Sequence, residues 1–404
     1  MERCNLLARH SEEADRLTRP YGTPSLRAAQ NDVAAWMRSA GMETRQDAIG
    51  NLIGSYPGRH SGPPLLLGSH LDTVRDAGRF DGMLGVLVAI AVVEHLHQRN
   101  ERLPFPVEVV AFADEEGLRF HTAYLGSRFL IGALDSTVLA LRDEAGVTLQ
   151  EAVEVFGGNA SALLFPDSVS YSFAGYVECH LEQGPVLEHL QLPVGVVSAI
   201  AGQSRIAVAF SGQAGHAGTV PMDLRRDPLG AAAEFVLAVE EAARECEGAV
   251  ATVGQIAAEP GASNVIPGRV PLTVDVRHQD DVQRHELCRH LETEARAIAG
   301  RRTIDLGWRI VEDQPAVACD PALTALLADA LAATGGPVHQ LPSGAGHDAV
   351  TLSAIAPVAM LFVRCVGGIS HHPDESVSLE DTAAAIDVLD RFLAALAKEH
   401  HGRT

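Results

Sequence analysis

Residues Gly68 to Ile90, GSHLDTVRDAGRFDGMLGVLVAI, place a short polar passage between two apolar runs. Before it, Leu65-Leu66-Leu67 is too short for a helix and is expected to form a buried parallel strand. After it, Met83 to Leu96 is long enough for a helix and so poor in polar residues that most of its faces should be covered. His70, Asp72 and Asp81 therefore fall between the carboxyl end of a strand and a helix, where open α/β sheets bind ligands. An imidazole and two carboxylates suit a divalent metal. The plainer alternative is a connecting loop in which Asp81 caps the helix.

Three more expected strands end in the same kinds of residue. Val107 to Ala113 runs into Asp114-Glu115-Glu116, Gly175 to Cys179 into His180 and Glu182-Gln183-Gly184, and Val358 to Val363 into a loop that holds His371. A lone Glu-Glu pair is usually solvated, but here it ends the buried strand VEVVAFA, where a carboxylate needs a partner. Four strand ends delivering His, Asp and Glu to one sheet edge are what a dinuclear site requires: two divalent ions about 3.5 to 4 Å apart sharing a carboxylate and activating water. His95, His97, His121, His285 and His290 read as surface residues and receive no role.

Helical patterns at Ser25 to Ala40, Pro321 to Ala333 and Leu379 to Glu399 complete an α/β layout, a mixed, mainly parallel sheet with helices on both faces. From Gly202 the pattern changes to strand, helix, strand, strand, helix: Ser204 to Phe210, Asp227 to Ala243, Ala249 to Ile256, Pro271 to Val276 and Gln283 to Ala299. That order predicts a two-layer α+β lid or dimerisation domain, 202–313, inserted into a catalytic domain made of 1–201 and 314–404. A chain of 404 residues exceeds one comfortable core, so two domains are expected.

A net charge of -21 disfavours nucleic acid or an anionic membrane as partner. The six cysteines lack close ligand spacing and fit free thiols in a reducing compartment. The amino terminus, MERCNLLARHSEEADR, is charged where a signal peptide needs an apolar core, and no apolar run is long enough to span a bilayer. A cytoplasmic protein is expected.

The blocks GSHLDTV, GRFDGMLGV, DEEGLRF, HLEQGPVLE, GHAGTVPMDLRRDPL, NVIPG, VDVRH, SGAGHDA and GGISHHPDE resemble, in order along nearly the whole chain, the dinuclear-metal amidohydrolases related to aminoacylases and carboxypeptidases. The nearest branch hydrolyses ureido groups and contains allantoate amidohydrolases and N-carbamoyl-L-amino acid hydrolases. HLEQG points to that branch, because the related peptidases usually carry an acidic ligand where this chain has His180. The resemblance implies that Asp81 bridges two ions, that His70 and His180 complete one site, and that Glu116 and His371 complete the other. It implies Glu115 as general base, Asp72 behind His70, and His216, Asn264, Arg277, Gln183 and the Gly344-Ala345 backbone as substrate contacts, with His216 donating to the oxyanion. His371 rather than His372 matches the ligand, and neighbours on an extended segment point to opposite sides. It further implies two divalent ions per subunit, manganese favoured with zinc, cobalt and nickel admitted, a cis Asp81-Gly82 peptide, and a homodimer whose active site both subunits share. The expected substrate is a small ureido acid, allantoate first, cleaved to ammonia and carbon dioxide. The alternative is an N-carbamoyl-L-amino acid hydrolase or ureidopropionase-like enzyme. A non-catalytic dimeric scaffold would be expected to have lost metal ligands, and none is missing here.

Overall fold

The computed structural model describes residues 1–164 and 171–401. It divides into two compact units, Met1–Ser198 with Cys319–Thr404, and Ala199–Ala318. The second unit begins before Gly202 and ends after Asp313, at the short antiparallel pairing of Val317–Ala318 with Ala199 and Ile200. Among the described residues no helix is long and apolar enough to cross a membrane.

In the first unit the strands lie in the order Glu43–Gln46, Leu52–Tyr56, Val107–Phe112, Leu65–His70, Gly175–Leu181, Val358–Val363 and Val194–Ile200, and Gln340–Ser343 also pairs with the last. The central four run parallel, while Glu43–Gln46 with Leu52–Tyr56, Leu52–Tyr56 with Val107–Phe112, and Val358–Val363 with Val194–Ile200 are antiparallel pairs. Strand alternation puts Leu65, Leu67, Val109, Val177 and Leu361 in one core with the helices Met83–Gln98 and Leu379–His401. The residues between them, among them Tyr176, Glu178, His180 and Phe362, face the other way, toward the short helix Asp348–Leu352, whose Ala349 amide donates to Glu178. All six residues of Leu65–His70 are buried, and the strand reaches as far as His70. The strand Leu52–Tyr56 begins just after a turn in which the Asp47 carboxylate accepts the amides of Ile49, Gly50 and Asn51.

The second unit is a four-stranded antiparallel sheet in the order Asp305–Gln314, Gly202–Ser211, Arg269–His278, Val250–Ile256. Ile206, Val208, Phe210, Val270, Leu272, Val274 and Val276 pack with Phe235 and Leu291, from the helices Pro228–Glu245 and Asp281–Arg302. Asp305–Gln314 has no counterpart in the expected order. It lies at the sheet edge with no residue fully buried, and only Leu306 and Trp308 pack against the core, so its apolar alternation is short and half exposed.

Candidate metal centre

The bend after Leu65–His70 turns on Gly82, whose φ of 68° is open to glycine and whose Cβ, if present, would lie 2.4 Å from the His70 ring. The one cis peptide among the described residues is Glu259-Pro260, so the expectation of a cis Asp81-Gly82 bond is corrected: the positive φ of Gly82 makes the bend with a trans peptide. Met83 N–H donates to the Asp81 carbonyl, and no side chain caps the helix. The Asp81 carboxylate, freed from capping, lies between two histidines, with His180 Nε2 3.3 Å from Oδ1 and His371 Nε2 3.2 Å from Oδ2.

Two groups of ligand atoms share this aspartate. His70, Asp81 and His180 form one and Asp81, Glu116 and His371 the other, with the atoms of each within 4.8 Å of one another. The first is buried, with both histidine side chains 2% exposed, whereas His371 is 49% exposed and opens the second toward solvent. Glu115 and Glu116 also group with His70. Asp72 organises them: its Oδ1 and Oδ2 accept the Glu115 and Glu116 amides at 2.9 and 3.0 Å, and Oδ1 is 3.4 Å from His70 Nδ1.

The residues fit a pair of divalent cations. Asp81 Oδ2 is buried and receives no hydrogen bond, although an imidazole nitrogen stands 3.2 Å away. An uncompensated buried charge costs several kcal/mol, which a coordinated cation removes. Burial raises Glu115, and burial with the nearby Asp81 charge lifts Glu116 to about 7. Burial pushes His180 down to about 4, while the Asp81 carboxylate against it holds His371 up at about 9. For His70, burial alone would lower the imidazole, but the hydrogen bond to Asp72 and the charges of Glu115, Asp72 and Asp81 outweigh it. Carboxylates crowded this closely without a cation hold protons that a metal would replace.

The other sequence-derived candidates are spread more widely. Gln183 joins the centre, its Nε2 donating to Asp81 Oδ1 at 3.2 Å and Ser370 Oγ at 3.1 Å. His371 has a φ of 54°, left-handed rather than extended, and the turn leaves His372 57% exposed beside Asp374. His216, Asn264 and Arg277 lie in the second unit. There His216 pairs in register with Val265, and Ala217 N–H donates to the Asn264 carbonyl. Arg277 Nε donates to Asp275 Oδ1 at 2.8 Å. In the Gly344-Ala345 segment, the Ala345 amide donates to Ser343 Oγ.

Two residues that received no role in the sequence also border the centre. His347 is buried, its ring 4.5 Å from that of His180 and its Nε2 2.8 Å from Ser343 Oγ. Glu178 groups with His180 and His347, and its Oε1 accepts from Ser69. Glu178 could have been noticed as the one acid in the buried strand GYVECHL, and His347 as the imidazole of SGAGHDA.

Residues 66–395 match peptidase family M20/M25/M40. A probable allantoate deiminase of Oryza sativa subsp. japonica is 40% identical over 425 aligned positions, covering 97% of this chain and 87% of that protein. An N-carbamoyl-L-amino acid amidohydrolase of Geobacillus stearothermophilus is also 40% identical, over 95% of this chain and 94% of its own. Among solved structures, an amidase of the hydantoinase/carbamoylase family from Burkholderia multivorans superposes with a TM-score of 0.92 at 32% identity, covering 98% of this chain and 96% of that one.

Proposed function

Because the chain belongs to peptidase family M20/M25/M40 and is a hydrolase of carbon–nitrogen bonds, we propose that it cleaves the ureido group of allantoate, releasing ammonia and carbon dioxide. The observation that carries this reading is the pair of ligand groups joined through Asp81, with Glu115 buried beside them. Relatives that act on allantoate and on N-carbamoyl amino acids are equally similar, so the choice between them rests on other features. The blocks RLTRPYGTPS, WMRSAGMETRQDAIGNLIG and MLFVRCVGGISHHPDESV favour allantoate.

In this reading Asp81 holds both ions, His70 and His180 the first, Glu116 and His371 the second, with manganese the preferred metal among several that such ligands admit. When bound, the pair supplies a Lewis-acidic centre at which water becomes a nucleophile near neutral pH. Glu115 takes the proton of the attacking water and returns it to the leaving nitrogen, so ammonia departs and the carbamate that remains loses carbon dioxide. Asp72, by accepting the Glu115 and Glu116 amides and standing against His70 Nδ1, fixes the base and the tautomer of the ligand. Arg277 grips the substrate carboxylate and His216 donates to the oxyanion.

The same proposal includes a homodimer formed through the second unit, with His216 of one subunit serving the metal centre of the other. The exposed edge strand Val250–Ile256, with Val250 60% and Ile256 49% exposed, supports such a pairing. Six unpaired cysteines suit a cytoplasmic setting.

The substrate assignment is tested by ammonia release from manganese-loaded protein, with allantoate, N-carbamoyl amino acids, ureidopropionate and a dipeptide run side by side. Allantoate should be fastest, and faster turnover of a carbamoyl amino acid would overturn the choice. The ligand assignment is tested by metal analysis. Asp81→Ala should lose both ions, whereas His180→Ala should keep most of one, because the Asp81, Glu116 and His371 group remains whole. Equal losses in the two variants would remove Asp81 from its bridging role.

A further inference from the structure

Glu375 is 2% exposed, and its carboxylate joins three segments far apart in the chain. Its Oε1 accepts the backbone amides of Phe80 at 2.9 Å and Asp81 at 3.0 Å. Its Oε2 accepts the Ser370 hydroxyl at 3.0 Å. Ser370 Oγ accepts from Gln183 Nε2 at 3.1 Å, and the same amide nitrogen donates to Asp81 Oδ1 at 3.2 Å. Room for the carboxylate comes from Gly78, where a Cβ would lie 2.3 Å from Glu375 Oε1.

Donor and acceptor chemistry gives this chain of bonds a direction. Glu375 accepts at both oxygens, so Ser370 spends its one hydrogen on Glu375 and meets Gln183 with a lone pair. The Gln183 amide must then turn its nitrogen toward Ser370 and Asp81, both of its hydrogens are used, and its oxygen is what it presents to a ligand. Gln183 and His371 both hold left-handed backbone conformations, φ 57° and 54°, which residues other than glycine keep only where the surroundings enforce them.

We propose that Glu375 is a positioning residue: it docks the turn bearing His371 onto the Phe80 and Asp81 amides and, through Ser370, sets the orientation of the Gln183 amide. This rests on the reading of Asp81, Glu116 and His371 as ligands. Glu375→Ala removes the dock, so the second manganese ion should bind roughly 10- to 100-fold more weakly. Glu375→Gln keeps an oxygen for both amides but sets an amide nitrogen against Ser370, leaving the hydroxyl hydrogen without its acceptor. That variant should bind both ions as the unaltered chain does and show a KM raised roughly fivefold. Ser370→Ala should raise KM by a similar factor, and the double variant Glu375→Gln/Ser370→Ala no further, since both cut one chain of bonds.

The experiment is calorimetric titration of the metal-free proteins with manganese, beside KM for the ureido acid that the unaltered enzyme turns over fastest. Two ions on the unaltered chain with unchanged affinity in Glu375→Ala would overturn this proposal alone. If the KM effects of Glu375→Gln and Ser370→Ala multiply, Glu375 does not act through Ser370 and the proposal is equally lost; that comparison decides the matter should Glu375→Ala fail to fold. Fewer than two ions on the unaltered chain would sink the ligand reading itself, and this proposal with it.

Discussion

Glu115→Gln is expected to bind two divalent ions as the unaltered chain does and to turn substrate over about 10²- to 10⁴-fold more slowly. The side chain is 8% exposed, and its position is set through the backbone, whose amide donates to Asp72. Glutamine has the same shape and leaves that bond intact, so neither fold nor ligand geometry should change. What is lost is the ability to take a proton from water and return it to the leaving nitrogen. Ammonia release should fall while metal analysis still finds two ions per chain. Near-normal turnover would pass the base role to another residue, and Glu178, which groups with His180, is an acid with no other role. Loss of an ion with the substitution would instead make Glu115 a ligand.

The parts of the fold legible in the sequence are those where composition and burial agree. Leu65-Leu66-Leu67 and VEVVAFA are apolar because both faces of a central parallel strand are covered, and polar residues at their ends then stand out. Asp305–Gln314, half exposed at an edge, had no such contrast. Val194–Ile200, VGVVSAI, is apolar enough to be seen, but it runs straight into Gly202–Ser211 with no turn residues to mark where one unit hands over to the next.

The centre divides in the same way. Histidines and carboxylates just past strand ends can be picked out by position, and the resemblance sorts them into two groups. Glu375 could not be found so, because its work depends on amides nearly three hundred residues earlier in the chain, a juxtaposition that only the folded sheet creates. The trans bond at Asp81-Gly82 teaches a related lesson. A ligand set read from a family is carried by side-chain chemistry, whereas a peptide bond that does not precede proline is trans unless something enforces the cis form.

Mixing two inactive variants, Glu115→Ala and His216→Ala, is expected to restore roughly a quarter of the unaltered activity once their subunits have exchanged. His216, Asn264 and Arg277 belong to the second unit, while every proposed metal ligand belongs to the first. If His216 serves the partner's metal centre, a mixed dimer collects both lesions in one site. The other site then joins an intact Glu115 from the His216→Ala chain to an intact His216 from the Glu115→Ala chain. Random reassortment makes about half of the dimers mixed, each with one good site of two, which gives the quarter. The measurement is ammonia release before and after dissociation and reassociation, with exchange checked by a mass-tagged subunit. Confirmed exchange with activity no higher than that of the separate variants would place His216 at the centre of its own chain. The dimer would then lose its catalytic meaning, because each chain would complete its site alone.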